Sequence, residues 1–71
     1  MFERTYDFAI AGVWFTASYK LEKTELGNVT WEVKRQMSTR FCTGAAADLR
    51  EARHKIQRWA EGDSFKGDQN S

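Results

Sequence analysis

A chain of 71 residues with ten aromatic side chains and 30% charged residues has the composition of one small folded domain, not of a disordered or multidomain protein. At this size folding buries only about 60% of the surface that the unfolded chain exposes, which calls for a dense aromatic core and leaves little room for a large catalytic cleft. The formal charge of +1, or +2 for residues 1–61 alone, is below the basic excess of committed nucleic-acid binders, although charge alone neither selects nor excludes that class.

A single cysteine, Cys42, cannot close an internal disulfide. The opening "MFERTYDF" lacks the basic-then-apolar order of a signal peptide. The longest apolar run, Phe8 to Phe15, is far short of the ~20 residues of a membrane-spanning helix. Asn28-Val29-Thr30 fits a glycosylation sequon, which has no consequence without secretion. A reduced, cytoplasmic protein with no membrane segment is expected.

In chain order, Tyr6, Phe8 and Ile10 are apolar at even positions, and after Gly12 the apolar set moves to odd positions: Val13, Phe15, Ala17, Tyr19 and Leu21. Strands alternate faces with period two, so a parity switch marks a turn or a bulge. A two-residue turn at Ala11-Gly12 would pair Ile10 with Val13, Phe8 with Phe15 and Tyr6 with Ala17, merging both sets on one face. Strands are therefore predicted at about residues 4–11 and 13–23. "KTELGN" is the next break. A three-residue turn with Gly27 left-handed would place Thr24 opposite Asn28, Leu21 opposite Trp31 and Lys20 opposite Glu32, with a third strand over about 28–38. Arg35 then falls on the apolar face, with its stem running to the edge or the strand bulging there.

From Gly44 the period changes to 3.6: Ala45, Leu49, Ala52, Ile56 and Trp59 with Ala60 form one stripe. A helix over about 44–61 is expected, with Thr43 as its N-cap and Gly62 as its stop. Residues 62–71 read as a flexible tail, with Phe65 the one large apolar residue in it. The expected fold is α+β: a three-stranded antiparallel meander packed on one C-terminal helix, in the order β-β-β-α.

Little in this pattern carries chemistry. Glu51 and His54 have the i, i+3 spacing of di-metal helical bundles, but further carboxylates are missing and a solvated helix face explains the pair. Cys42 and Thr43-Gly44 precede the expected helix, where a thiol pKa can fall and backbone N–H groups can hold an anion. A packed thiol and a generic cap explain them as well. No cofactor motif, metal-ligand set or nucleophile–base pair is evident, so an enzyme is not expected.

The remaining signals are for binding. One helix cannot cover both faces of a sheet, and Trp14 is expected on the uncovered face beside Ala9, Thr16 and Ser18. Tryptophan is enriched in binding hot spots, so Trp14, Thr16, Lys20, Glu32 and Lys34 are the candidate residues for a protein partner. The function expected is an inhibitor, adaptor or accessory protein, of a kind common by size among phage and mobile-element products. It would bind through the open sheet face or the charged helix face. A homodimer formed by two faces or two sheet edges is compatible with the pattern. The alternative is a nucleic-acid-binding domain using the sheet or the basic residues Lys34, Arg35, Arg40, Arg50, Arg53, His54 and Arg58. The element order over residues 4–61 is similar in topology to AP2-type domains and to the arm-binding domains of tyrosine recombinases. That resemblance implies DNA reading by the sheet, and no motif extends it to individual residues.

Overall fold

The computed structural model describes residues 2–69, with backbone alone for Phe2 and residues 65–69. Strand β1 (Phe2–Ile10) turns at Ala11-Gly12 into β2 (Val13–Thr24). The expected pairs Ile10–Val13, Phe8–Phe15 and Tyr6–Ala17 all form. Ala11 and Gly12 both have positive φ, 53° and 81°, the tight hairpin turn whose twist matches that of paired strands.

The second turn differs from expectation. β3 runs Gly27–Arg35, and Thr24 pairs with Gly27, not Asn28, across a two-residue turn and an irregularity between Leu21 and Thr24. The register is thereby shifted by two residues: Leu21 faces Val29, Tyr19 faces Trp31, Ala17 faces Val33 and Phe15 faces Arg35. Lys20 meets Thr30 while Glu32 meets Ser18, so the expected Lys20–Glu32 pair is absent. An even shift keeps every side chain on its intended face, which is why the apolar pattern could not detect it. Thr24 sets the shorter turn: its Oγ1 donates to the Gly27 carbonyl at 2.9 Å and accepts from the Leu26 N–H at 3.2 Å.

A fourth strand corrects the expected three. β4 (Phe41–Ala46) pairs antiparallel with β3, giving one sheet in the order β1-β2-β3-β4. The likeness to three-stranded DNA-reading domains therefore fails at the level of topology. Gly44 and its alanines look like a helix start but are a strand edge shaped by its neighbours. Trp31 pairs with Gly44, and a Cβ at Gly44 would sit 2.5 Å from the Trp31 Cζ2. A Cβ at Gly27 would overlap the Ala46 carbonyl. Trp31 is 8% exposed and its Nε1 finds no acceptor among the described residues. Burying some 200 Å² of indole is worth about 5 kcal/mol, more than the about 1–3 kcal/mol an orphaned N–H costs.

Helix α1 (Leu49–Gln69) begins five residues later than expected and passes through Gly62 without stopping. Its cap is Asp48, not Thr43, which lies in β4 with Ala45. The Glu51 N–H donates to Asp48 Oδ1 at 2.8 Å, and Glu51 Oε1 accepts from the Ala47 N–H at 3.0 Å. This reciprocal arrangement satisfies two orphan donors at once. Leu49, Ala52, Ile56, Trp59 and Ala60 face the sheet as expected, and the stripe continues to Asp63 and Ser64, both buried. Ser64 Oγ donates to the Ile10 carbonyl at 3.2 Å, tying this part of the helix to the first hairpin. Residues 62–64 thus belong to the packed body and not to a tail; the Phe65 side chain lies outside the described residues.

The core is Phe15, Ala17, Val29, Trp31, Val33 and Ala46 from the sheet with Ala52, Ile56 and Ala60 from the helix. Ala52 and Ala60 are fully buried and let the helix backbone approach closely, while Trp59 meets Phe15 edge-on at 6.1 Å. Tyr6, Phe8 and Ile10 are only half-buried, and the Arg53 guanidinium lies 5.4 Å above the Tyr6 ring. No helix among the described residues is long and apolar enough to cross a membrane.

Two predictions follow from these contacts. A left-handed conformation costs a Cβ-bearing residue about 1–2 kcal/mol, and asparagine tolerates it better. Ala11→Asn should therefore raise stability by about 1 kcal/mol in urea unfolding; an unchanged or lower midpoint would show that the turn is not strained. The second concerns Tyr6, whose pKa is raised by burial, against which the Arg53 charge and hydrogen bond act. The folded state thus holds the phenolic proton more tightly than the unfolded one. Its contribution is complete below about pH 10 and is lost as pH rises through the folded value. Urea midpoints should fall in that window, and less steeply in Tyr6→Phe; identical alkaline slopes would contradict the assignment.

Candidate functional site

Alternation puts Glu3, Thr5, Asp7 and Ala9 of β1, Trp14, Thr16, Ser18 and Lys20 of β2, and Thr30, Glu32 and Lys34 of β3 on the face opposite the helix. Phe41 and Thr43 of β4 continue the Lys34 and Glu32 rows. All five residues expected at a protein interface, Trp14, Thr16, Lys20, Glu32 and Lys34, are therefore brought to this one face. Trp14 is 53% exposed and stands opposite Ala9, so no large neighbour shields it along the hairpin. Phe41, 62% exposed, adds a second aromatic that the three-stranded expectation missed. Its signal was the alternation of Phe41, Thr43 and Ala45 against Cys42, Gly44 and Ala46.

The polar part of this face is ordered. Gln36 Nε2 donates to Thr16 Oγ1 at 3.1 Å, and Thr16 Oγ1 donates to Asp7 Oδ1 at 3.0 Å. The Gln36 N–H also donates to the Trp14 carbonyl at 3.0 Å. Trp14 is thus flanked by a hydrogen-bonded relay that fixes the backbone from which it projects. Electrostatically the face is mixed: Glu3, Asp7 and Glu32 stand against Lys20 and Lys34.

The seven basic residues fall into three groups, of which the helical four, Arg50, Arg53, His54 and Arg58, line one shallow depression together. Lys34 lies on the sheet face, whereas Arg50, Arg53, His54 and Arg58 are exposed on the helix. Arg35 and Arg40 converge instead on Asp63, whose side chain is only 4% exposed. Arg40 Nε meets Oδ1 at 2.8 Å and Arg35 reaches Oδ2 at 3.5 Å. The longer contact is an ion pair without hydrogen-bond geometry, leaving Oδ2 without a directed donor. Arg35 accordingly neither bulges the strand nor runs free to the edge: a buried carboxylate from the helix holds it. Helical periodicity delivers Asp63 there, seven residues after Ile56 on the same stripe. A reading that ended the helix at Gly62 could not see it.

This tie also closes the 36–40 loop, where the Arg35 N–H donates to the Arg40 carbonyl at 3.0 Å. Met37 in that loop has φ 59° and a fully exposed side chain, a strained geometry for a long side chain. Beside the loop, Thr39, Arg40, Phe41, Arg58, Trp59, Gly62 and Asp63 line an open depression of about 570 Å³. The other residues singled out are in structural use. Glu51 caps the helix and sits 3.6 Å from Lys55. Cys42 is half-buried in β4, its Sγ 3.8 Å from the Thr43 carbonyl. No cluster of three His, Cys, Asp or Glu occurs among the described residues.

Asp63→Asn would leave two arginines around a neutral amide. Both guanidinium groups are partly exposed, at 25% and 43%, so the loss should be about 1–2 kcal/mol, below that of a fully buried pair. It should also raise hydrogen exchange at the Arg35 amide; unchanged stability and exchange would show that the carboxylate does not hold the loop.

Compared with models of known protein families, with curated proteins and with solved structures, the chain matches none. Its surfaces have to be read from their own chemistry.

Proposed function

We propose that this protein is a small non-enzymatic interaction module, an inhibitor, adaptor or accessory protein acting in the cytoplasm, and that it binds a protein partner through its open sheet face. The observation that carries this reading is the half-exposed Trp14 on a face that no element of the described structure covers. A tryptophan held by paired strands loses little further freedom on binding, so more of its burial energy appears as affinity. Thr16, Lys20, Glu32 and Lys34 would supply the polar rim, with charges of both signs favouring a partner of mixed charge. A standard interface takes about 800 Å² from each partner, roughly one-sixth of the 5088 Å² that this chain exposes. One sheet face is enough. The sheet is a poor candidate for phosphate, because three acids stand there against two lysines.

The test is affinity capture from the native cytoplasm with wild-type protein and Trp14→Ala. The variant removes an exposed side chain, so its melting temperature should stay close to wild type, and the captured partner should be lost. A variant that unfolds would identify Trp14 as part of the fold's support; a folded variant that still captures the same partner would end the reading.

A further inference from the structure

The side of α1 turned from the sheet carries a second surface. Arg50, His54 and Arg58 are exposed and follow one another at i, i+4 and i+8, which sets them in a straight row at intervals of about 6 Å. None of them takes part in an ion pair among the described residues, whereas Lys55 is tied to Glu51 and Arg53 lies over Tyr6. The row leads into the depression beside the 36–40 loop, which Arg58 shares with Arg40. Arg40 is held from behind by the buried Asp63 through Nε, a contact that does not use the two terminal nitrogens of its guanidinium. An arginine fixed in this way gives up little entropy in taking a second anion.

Charge and shape then point to one class of ligand. The helix up to Ser64, with Arg35 and Arg40, holds six Arg or Lys against three Asp or Glu, the opposite balance to the sheet face. The depression has aromatic walls, the half-buried Trp59 and the 62% exposed Phe41. Two arginines flanking a histidine donor, in a row that ends at an aromatic-walled hollow, match a strand with one negative charge per repeat and a π-face on each unit. A duplex would keep its bases stacked away from Phe41, and an acidic peptide would leave the aromatic walls unused.

We propose that the Arg50–His54–Arg58 row and the depression at Arg40 form a track for single-stranded nucleic acid, with phosphates on the arginines and one base against Phe41 and Trp59. The track runs along the helix side and meets the Trp14 face only at Phe41, on the edge strand β4, and its cations do not rest on the sheet-face reading.

The test titrates the full chain into a fluorescein-labelled oligothymidine of about 15 nucleotides, read by anisotropy. Three phosphate contacts would weaken binding about 20-fold between about 50 and 200 mM salt. The double variant Arg50→Glu/Arg58→Glu, altered at exposed sites, should keep its circular dichroism and lose at least tenfold in affinity with a shallower salt slope. Phe41→Ala should lose about tenfold with the slope unchanged. Three results would overturn the proposal: no anisotropy change at about 50 mM salt with folded protein, equal binding by the folded double variant, or competition by polyglutamate as effective as that by unlabelled oligothymidine.

Discussion

One helix is about 10–12 Å wide, while neighbouring strands lie about 4.8 Å apart, so α1 can cover only part of one side of a four-stranded sheet. Much of the molecule's character follows from that mismatch. The helix sits where the sheet is most apolar, over Val29, Trp31 and Val33 of the central strand β3, which are all buried. Coverage fades toward β1, whose Tyr6, Phe8 and Ile10 remain half-buried. There the chain extends its cover with the stem of Arg53, whose head rests on Tyr6, a use of a long cation as a partial lid. The far face receives no cover from the described elements, so its residues must be soluble by themselves. Thr, Ser, Lys and Glu meet that need, which makes Trp14 the exception on β2 and β3.

Small residues in both layers make the docking of the helix possible. Ala52 and Ala60 bring the helix backbone down to the sheet, and Gly44 of β4 leaves room for the Trp31 ring beside it. A domain this small has few contacts to spare, so its helix is also secured outside the apolar stripe. The cap at Asp48 secures one end, Ser64 binds the Ile10 carbonyl, and Asp63 gathers Arg35 and Arg40. These polar ties specify where the helix lies along the sheet, which apolar contact alone leaves loose.

What the sequence revealed and what it hid divide along the same physical line. Side-chain parity is a property of each strand, so the switch at Gly12 disclosed the first hairpin, its register and the outward direction of Trp14. Parity is blind to a shift of two residues, and the β2–β3 register was therefore misplaced until the Thr24–Gly27 contacts were seen. β4 was hidden because its alanines favour a helix and Gly44 can precede one, while the reason for Gly44 lies in the ring of Trp31, a residue on another strand. The helix start was legible in principle, since Asp48 and Glu51 stand at the spacing of a reciprocal cap. Asp63 was not: its partner Arg35 is 28 positions away, and only the tertiary fold gives a buried carboxylate a role. Trp14, Thr16, Lys20, Glu32 and Lys34 share one sheet face, whereas the seven basic residues divide among that face, the tie to Asp63 and the helix.

That division bears on how net charge should be used. A value of +1 for the whole chain averages over a sheet face with an acidic excess and a helix side with a basic one. Screening limits each charge to about 8–10 Å at physiological salt, comparable with the thickness that separates the two faces. A partner approaching either side therefore experiences the local balance and not the total. Composition excluded a strongly basic protein, and correctly so, but it could not exclude a basic surface. In a two-layer fold the layers decide what each side can bind, because the core between them keeps opposite charges from neutralising one another.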